Sequence, residues 1–436
     1  MAVSWLRRLA ARAPVPVFPA LGVHGDAMLR ELALDPGVEL VGSPRHASVL
    51  LVAGGVPPDQ HAALRRVHDQ VPRPFATLWW RSEPLDGLEN ATRIDAPSAL
   101  SDALIAAHRD VMLGRRGSSP RLLPDEPPNP WEGLGDDGHG GEGMMGGVPY
   151  GRPMAMNMHD DLRDGLTLDS LTFRLGPFFP ALPPGMQAEV TLQGDLVQTW
   201  AVQHAPYPLG LDAVFFDARQ QPVSIAELEL ARARYHLYRL FHGLWLAGLE
   251  SVGLHVLRLA RSLTPDSRVD GLRRRLARCG FFDLTMTASA ALDDEQARQI
   301  GGPAARAAGL ADDLRSEDAN YRRLGFTPVC QQEGNTRARW WQALAEIDQS
   351  LALARQAAAR DVQTSEVGSV ETPRGPWREG QRPQDASHLL DELLPGLEWG
   401  EALAAIASLD LAAVSEWPLD ASVAEPRTTP PEEYRA

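Results

Sequence analysis

The 436-residue sequence contains no lysine; all 42 of its basic residues are arginine. That excludes a Schiff-base lysine, a P-loop lysine and a kinase-type lysine together. Cysteine is nearly absent too. The two that exist, Cys279 and Cys330, stand in neither a CxxC nor a CxxH spacing, which argues against a disulfide framework and a cysteine-built metal site. No stretch reaches the roughly 20 uncharged apolar residues that a bilayer span needs; the most apolar one, LYRLFHGLWLAGLESVGLHVL, is broken by Arg239 and Glu250. A net charge of -15 disfavours nucleic acid, whose recognition rests on clustered cations. Arginines interrupt the apolar residues at the start of the chain, so no signal peptide is expected and a cytoplasmic location follows.

What is present is globular in character: 44% apolar and 23% charged residues, over a length that suggests two or three domains. Residues 38–42 and 48–53 are short apolar runs. With the helix-like DQHAALRRVHDQ and the following FATLWW they make a strand–helix–strand unit, the grammar of a parallel sheet with crossover helices. A closing helix is expected over 96–113, with Ser98 or Ser101 as N-cap, so a first domain spans 1–115. Residues 116–165, rich in Gly and Pro, read as a connector.

A second domain is expected over 166–380, opening with antiparallel strands joined by a hairpin at Gly194-Asp195. One long helix should run from a capping box at Ser224–Glu227 to about Ser262, and another over 336–360. The last segment, 381–436, carries a short helix near GEALAAIASL and a Pro- and Glu-rich end expected to be disordered. The fold class predicted is thus an α/β N-terminal domain followed by a mainly helical α+β domain. On the long helix Arg239 and His242 share a face, whereas His236 and His242 do not, which argues against a two-histidine metal site. Arg306, Asp312, Asp313 and Arg315 suggest an internal ion-pair network or, as the alternative, contacts to a partner or a cavity. The methionines and His159 of PMAMNMHDD (153–161) suit an interface-packing loop better than a copper site.

Two resemblances add to this. SPRHASVLLVAGGVPPDQHAALRRVHDQVPRP and the strand after it resemble the small, cluster-bearing subunit of respiratory complex I and the small subunits of energy-converting [NiFe] hydrogenases. That family binds a [4Fe–4S] cluster through four cysteines, whose places fall near Gly22, Gly25, Glu83 and Pro97. None is cysteine, and His24, Asp26 and Glu83 are poor substitutes for thiolates. The second half resembles the complex I subunit that lines the quinone cavity and shares its fold with the large subunit of [NiFe] hydrogenases. RLGPFFPALPPGMQAEVTLQGDLV, ARARYHLYRLFHGLWLAG, the stretches 292–326 and 335–351, VETPRG and ASLDLAAVSE carry that resemblance in order. The nickel–iron ligands are missing, since SLDLAAVS stands where a terminal CxxC would lie. Where the complex I relative has a quinone-facing histidine in a GPQHP-like loop, this chain has Gly176-Pro177-Phe178-Phe179-Pro180, and a phenyl ring supplies neither a hydrogen bond nor a proton.

The resemblance implies a natural fusion of small-subunit-like and large-subunit-like domains that uses no cofactor. Such a chain would be a structural or coupling component, docking on an antiporter-like membrane module and other peripheral subunits at the inner face of the cell membrane. An alternative is a quinone-binding oxidoreductase component, its cavity retained around Gly176, Pro177, Phe179, Arg239 and His242. A third is a free-standing small-molecule-binding protein.

Overall fold

A computed structural model describes residues 2–86, 92–124, 170–282 and 289–419, with side chains from residue 5. The methionine-rich loop, most of the connector and the C-terminal end lie outside the described residues.

The run VLLVA is buried along its whole length, as befits the central strand of a parallel sheet covered on both faces. It is β3 (Val49–Ala53) in a sheet with β1 (Val15–Leu21), β2 (Val38–Leu40), β4 (Ala76–Trp80) and β5 (Thr92–Ile94), ordered β2-β1-β3-β4-β5, all parallel. The surrounding helices are α1 (Ala2–Ala10), α2 (Asp26–Leu34), α3 (His61–Gln70) and α4 (Leu100–Met112). One face of the sheet packs Val17, Leu51, Leu78 and Trp80 against α2 and α4; the other packs Phe18, Leu50, Val52 and Trp79 near α3. Each such burial is worth roughly 1.5–3 kcal/mol against exposure.

Strand β1 lies inside the sheet although it contains Pro16 and Pro19, residues that ordinarily exclude a central strand. Both sit where the ladder needs no N–H. Val17 faces β2, so Pro19 does as well, but β2's pairing stops at Leu40 opposite Val17. Pro16 faces β3 and only accepts, from the Ser48 N–H at 2.9 Å, one step before the paired run begins at Val17 and Val49.

The expected N-cap of α4 is corrected. A 3-10 turn over Pro97–Ala99 leads in, Ala99 is the capping residue, and Ser101 instead donates to the Asp35 carboxylate. The α/β unit also reaches beyond residue 115: Ser119 pairs with Phe75 at 2.9 Å, and the N–H groups of Leu122 and Leu123 reach Asp69 at 3.1 and 2.8 Å.

The second half opens with the antiparallel sheet β6 (Ser170–Leu175), β7 (Gln187–Gln193) and β8 (Leu196–His204), turning at Gly194-Asp195 with Gly194 at φ +62°. There follow α5 (Ala213–Asp217), α6 (Ile225–Leu246), α7 (Glu250–Arg261), α8 (Asp270–Arg278), α9 (Asp294–Ile300), α10 (Gly302–Ala307), α11 (Ala319–Arg323) and α12 (Thr336–Ala358). The hairpin β9 (Val370–Thr372) and β10 (Gly375–Trp377), then α13 (Leu390–Leu393) and α14 (Trp399–Ser408), are the last elements among the described residues. The single long helix expected from Ser224 is two, because Gly248 at φ +71° breaks it between α6 and α7. Ser224 does cap α6, accepting from the Glu227 N–H at 3.4 Å. The adjacent aromatics Phe281 and Phe282 are buried in the core, and Phe282 stacks on Trp341 at 4.0 Å.

The two halves touch directly. Phe178 packs into the core of the α/β unit, and Gln60, almost fully buried, donates to the Gly185 carbonyl at 3.3 Å while accepting from the Tyr207 hydroxyl. Arg261 of α7 pairs with Glu31 of α2 at 3.1 Å.

Candidate functional site

Between the halves lies a cavity of about 530 Å³. Its walls come from three separated stretches, residues 14–40, 177–254 and 406–412. Most of the lining is apolar, including Leu21, Leu29, Pro177, Phe179, Phe241, Trp245 and Leu409. Gly176 makes the sharp turn that brings the loop 177–180 to the wall. Its φ is +87°, and a Cβ there would lie 2.1 Å from the Met186 carbonyl oxygen, so no other residue fits. Phe179 faces the cavity and rests against Trp399, ring centres 6.4 Å apart.

One wall is polar. Tyr235, Arg239 and His242 stand on a single face of α6, four and three residues apart, and Asp410 meets them from the chain after α14. The Tyr235 hydroxyl donates to Asp410 Oδ2 at 2.5 Å, Arg239 Nε lies 3.7 Å from the same oxygen, and Arg239 Nη2 donates to the Ser408 carbonyl at 2.8 Å. Burial, with Asp410 beside it, holds the Tyr235 phenol well above its ordinary value. His242 is partly buried and lines the cavity. That burial, reinforced by Arg239 and Arg30, pushes its imidazole down to about 4. At neutral pH Tyr235 and His242 therefore stay neutral, and neither readily releases a proton.

Of the residues singled out from sequence, Pro177, Phe179, Arg239 and His242 thus line one cavity, and Gly176 shapes its loop. Tyr235 and Asp410 were missed. Tyr235 was within reach, sharing its helix face with Arg239; Asp410 lies within SLDLAAVS, where only absent cysteines were sought.

The positions that the small-subunit resemblance assigns to cluster ligands are a different matter. Gly22 and Gly25 lie on the loop after β1, stitched to the loop after β3: Gly22 N–H to Ala53 O and Val23 N–H to Gly55 O, both 2.8 Å. A Cβ on Gly22 would come 2.4 Å from the Gly55 oxygen, and one on Gly25 2.0 Å from the Ala53 oxygen. Glu83 is exposed and pairs with Arg93 at 2.5 Å; Pro97 opens the 3-10 turn before α4. Backbone fills the place of two ligand side chains and no thiolate is at hand, so a [4Fe–4S] cluster does not fit. Among the described residues no cluster of His, Cys, Asp and Glu could hold a metal ion.

A neighbouring face of α6 carries a second charged group, wholly enclosed. Arg306 donates to both oxygens of Glu346 at 2.9 and 3.2 Å and to Glu371 at 2.9 Å, and lies 3.1 Å from Asp313. Arg315 bridges Asp313 at 2.7 Å and Glu229 at 3.1 Å; Glu229 also accepts from Tyr321 and Ser350. The Asp312 carboxylate takes no part: it is exposed, and only its backbone carbonyl accepts from Arg306. Burial works against ionising Glu346, yet Arg306 and His236 outweigh it and hold the carboxylate well below its usual range. Burial and the nearby Asp313 raise Glu371 to about 7. With Glu371 protonated, three carboxylates (Glu229, Asp313, Glu346) balance three guanidiniums (Arg232, Arg306, Arg315), which is the state a dry interior favours.

Residues 269–387 match the family model described as respiratory-chain NADH dehydrogenase, 49 Kd subunit. The match spans about a quarter of the chain. It runs from the start of α8 past β10 and holds most of the buried ionic network. No curated protein matches the chain. Among solved structures, the chain is similar to a component of the membrane-bound sulfane sulfur reductase, an archaeal respiratory membrane complex: identity is 16%, coverage 56% of this chain and 96% of that one, and the TM-score 0.40. Among the described residues no helix is long and apolar enough to cross a membrane.

Proposed function

We propose that this chain is part of a complex I-like, membrane-associated assembly, carries no redox centre of its own and binds a quinone-class molecule in the cavity between its halves. The observation that carries the reading is the cavity's construction: apolar walls of aromatic and aliphatic side chains end in the donors of Arg239 and His242. Flat apolar molecules with carbonyl acceptors match such a site. Quinone reduction needs electrons and protons. The chain's donor set cannot hold a cluster beside the cavity, and His242 and Tyr235 hold their neutral forms too firmly to supply protons near pH 7. Binding without turnover suits a coupling role, in which occupancy of the cavity bears on how the halves and their partners fit together. The small-subunit-like half and the docking on antiporter-like membrane subunits belong to this proposal, and sequence resemblance and the parallel sheet support them.

The test has two arms. A short-chain quinone titrated against the purified protein should quench tryptophan fluorescence, since Trp245 lines the cavity, and Leu29→Trp, which narrows it, should weaken saturable binding. Equal binding by that variant would sink the cavity assignment. Tagged protein taken from native membranes in mild detergent should bring membrane subunits with it in equal amounts; recovery alone would favour a free-standing binding protein.

A further inference from the structure

Helix α1 wears its apolar face on the outside. Trp5, Leu6 and Leu9 are 63, 56 and 55% exposed, three of the six large apolar side chains exposed among the described residues. Trp5 and Leu9 are one turn apart, Leu6 beside them, so the three form one stripe. The opposite side is the one held by the protein: Ala11 is buried, the Ala10 carbonyl meets His108 Nε2 of α4 at 3.1 Å, and Arg7 reaches back toward Gly114. A helix packed for the sake of the domain alone would present the reverse pattern.

Charge indicates what covers the stripe. Arg7, Arg8 and Arg12 fall in the first 25 residues with no carboxylate before Asp26, in a chain of net charge -15. Arg8 on the helix and Arg12 in the turn just after it stand about one turn apart beside the stripe, both exposed. An apolar stripe edged by arginines, on a segment whose sign opposes that of the whole chain, is the pattern of a helix lying in an anionic lipid interface. We propose that α1 docks this protein on the surface of an anionic phospholipid bilayer, with Trp5, Leu6 and Leu9 sunk among the lipids and Arg8 and Arg12 at the phosphates.

The placement has a geometric corollary. Pro14, Pro36 and Glu39 are exposed and also line the inter-half cavity, marking an open side. Pro14 follows Ala10 by at most about 14 Å of extended chain, so a docked α1 holds this opening near the bilayer. The lipid docking itself stands whatever the cavity binds.

Flotation of the full chain with protein-free vesicles tests it. The protein should float with mixed phosphatidylcholine–phosphatidylglycerol vesicles and not with phosphatidylcholine alone, and high salt should reverse the binding. Trp5→Ala/Leu6→Ala/Leu9→Ala should lower the bound fraction more than about tenfold, with unchanged circular dichroism because these side chains support no core. Arg8→Gln/Arg12→Gln should cost about fivefold in partitioning per charge. Failure to float with the anionic vesicles, or flotation of the triple alanine variant like that of the parent, overturns the proposal. So does recruitment only by vesicles carrying native membrane proteins, which would assign the stripe to a protein partner.

Discussion

Helix α6 presents ionisable groups on two neighbouring faces, and the faces differ in one respect. Glu229, Arg232 and His236 point into a dry network with Arg306, Arg315, Asp313, Glu346 and Glu371, sealed on all sides. Tyr235, Arg239 and His242 point into a hollow. Arginine beside carboxylate is common to both, so residue type alone does not separate scaffold from site. The network closes its charge balance from within, whereas donors facing open volume have room to satisfy something from outside.

The comparison breaks most readily on the closed side. Arg306→Met leaves Glu346, Asp313 and Glu371 without their shared cation and should cost about 3–5 kcal/mol of stability, or prevent folding, as read by urea unfolding. A loss below about 1 kcal/mol would mean that water reaches the network. Next in size is a contrast in pH dependence. The folded His242 titrates near 4 against 6.5 when unfolded, so between those values only the unfolded chain takes the proton; stability is full above 6.5 and falls as pH drops to 4, by on the order of 2–3 kcal/mol. Glu371 runs the other way: raised to about 7, it keeps its proton in the folded state alone, so its contribution is full below about 4.5 and is lost as pH rises through 7. His242→Gln should flatten the acid limb of the stability profile and Glu371→Gln the limb toward neutrality, each leaving the other limb in place.

A smaller effect tests Gly25, where the small-subunit resemblance would place a cluster ligand and backbone fills the space. Gly25→Cys should lower stability by about 1–3 kcal/mol, the range for forced overpacking, and should gain no visible absorbance on iron and sulfide reconstitution. The least is expected from Tyr235→Phe, which removes the hydroxyl bond to Asp410. Stability should fall by about 1 kcal/mol while quinone affinity drops several-fold, since Asp410 is then free to draw Arg239 away from the ligand. A change in stability with unaltered affinity would move Tyr235 from the site to the scaffold.

Much of the fold was legible because local chemistry and tertiary role agree. VLLVA is uniformly apolar and uniformly buried; Gly194-Asp195 turns the hairpin; α12 begins at Asn335, whose side chain caps it at 2.8 Å from the Ala338 N–H. Where they part, reading failed. Pro16 and Pro19 hid β1, because only the lengths of β2 and β3 make those prolines harmless. Gly248 broke a helix whose apolar spacing runs on undisturbed into α7. Ser101 had two uses open to it, and the carboxylate of Asp35 just after α2, distant in sequence, took it from the helix end. The cavity residues came from resemblance, and Asp410 was invisible because a lone aspartate in SLDLAAVS gains meaning only once α6 lies opposite.

The walls of the cavity belong to both halves of the chain, and the Tyr207–Gln60–Gly185 contacts hold those halves together. Any molecule bound there touches both, so by reciprocity it tightens their association as much as their association tightens its hold on the molecule. An event at the far surface of either half that prises α2 from α7 would then empty the cavity, and filling the cavity would resist that event to the same degree. A single chain can in this way convert chemical occupancy into mechanical stiffness without moving an electron.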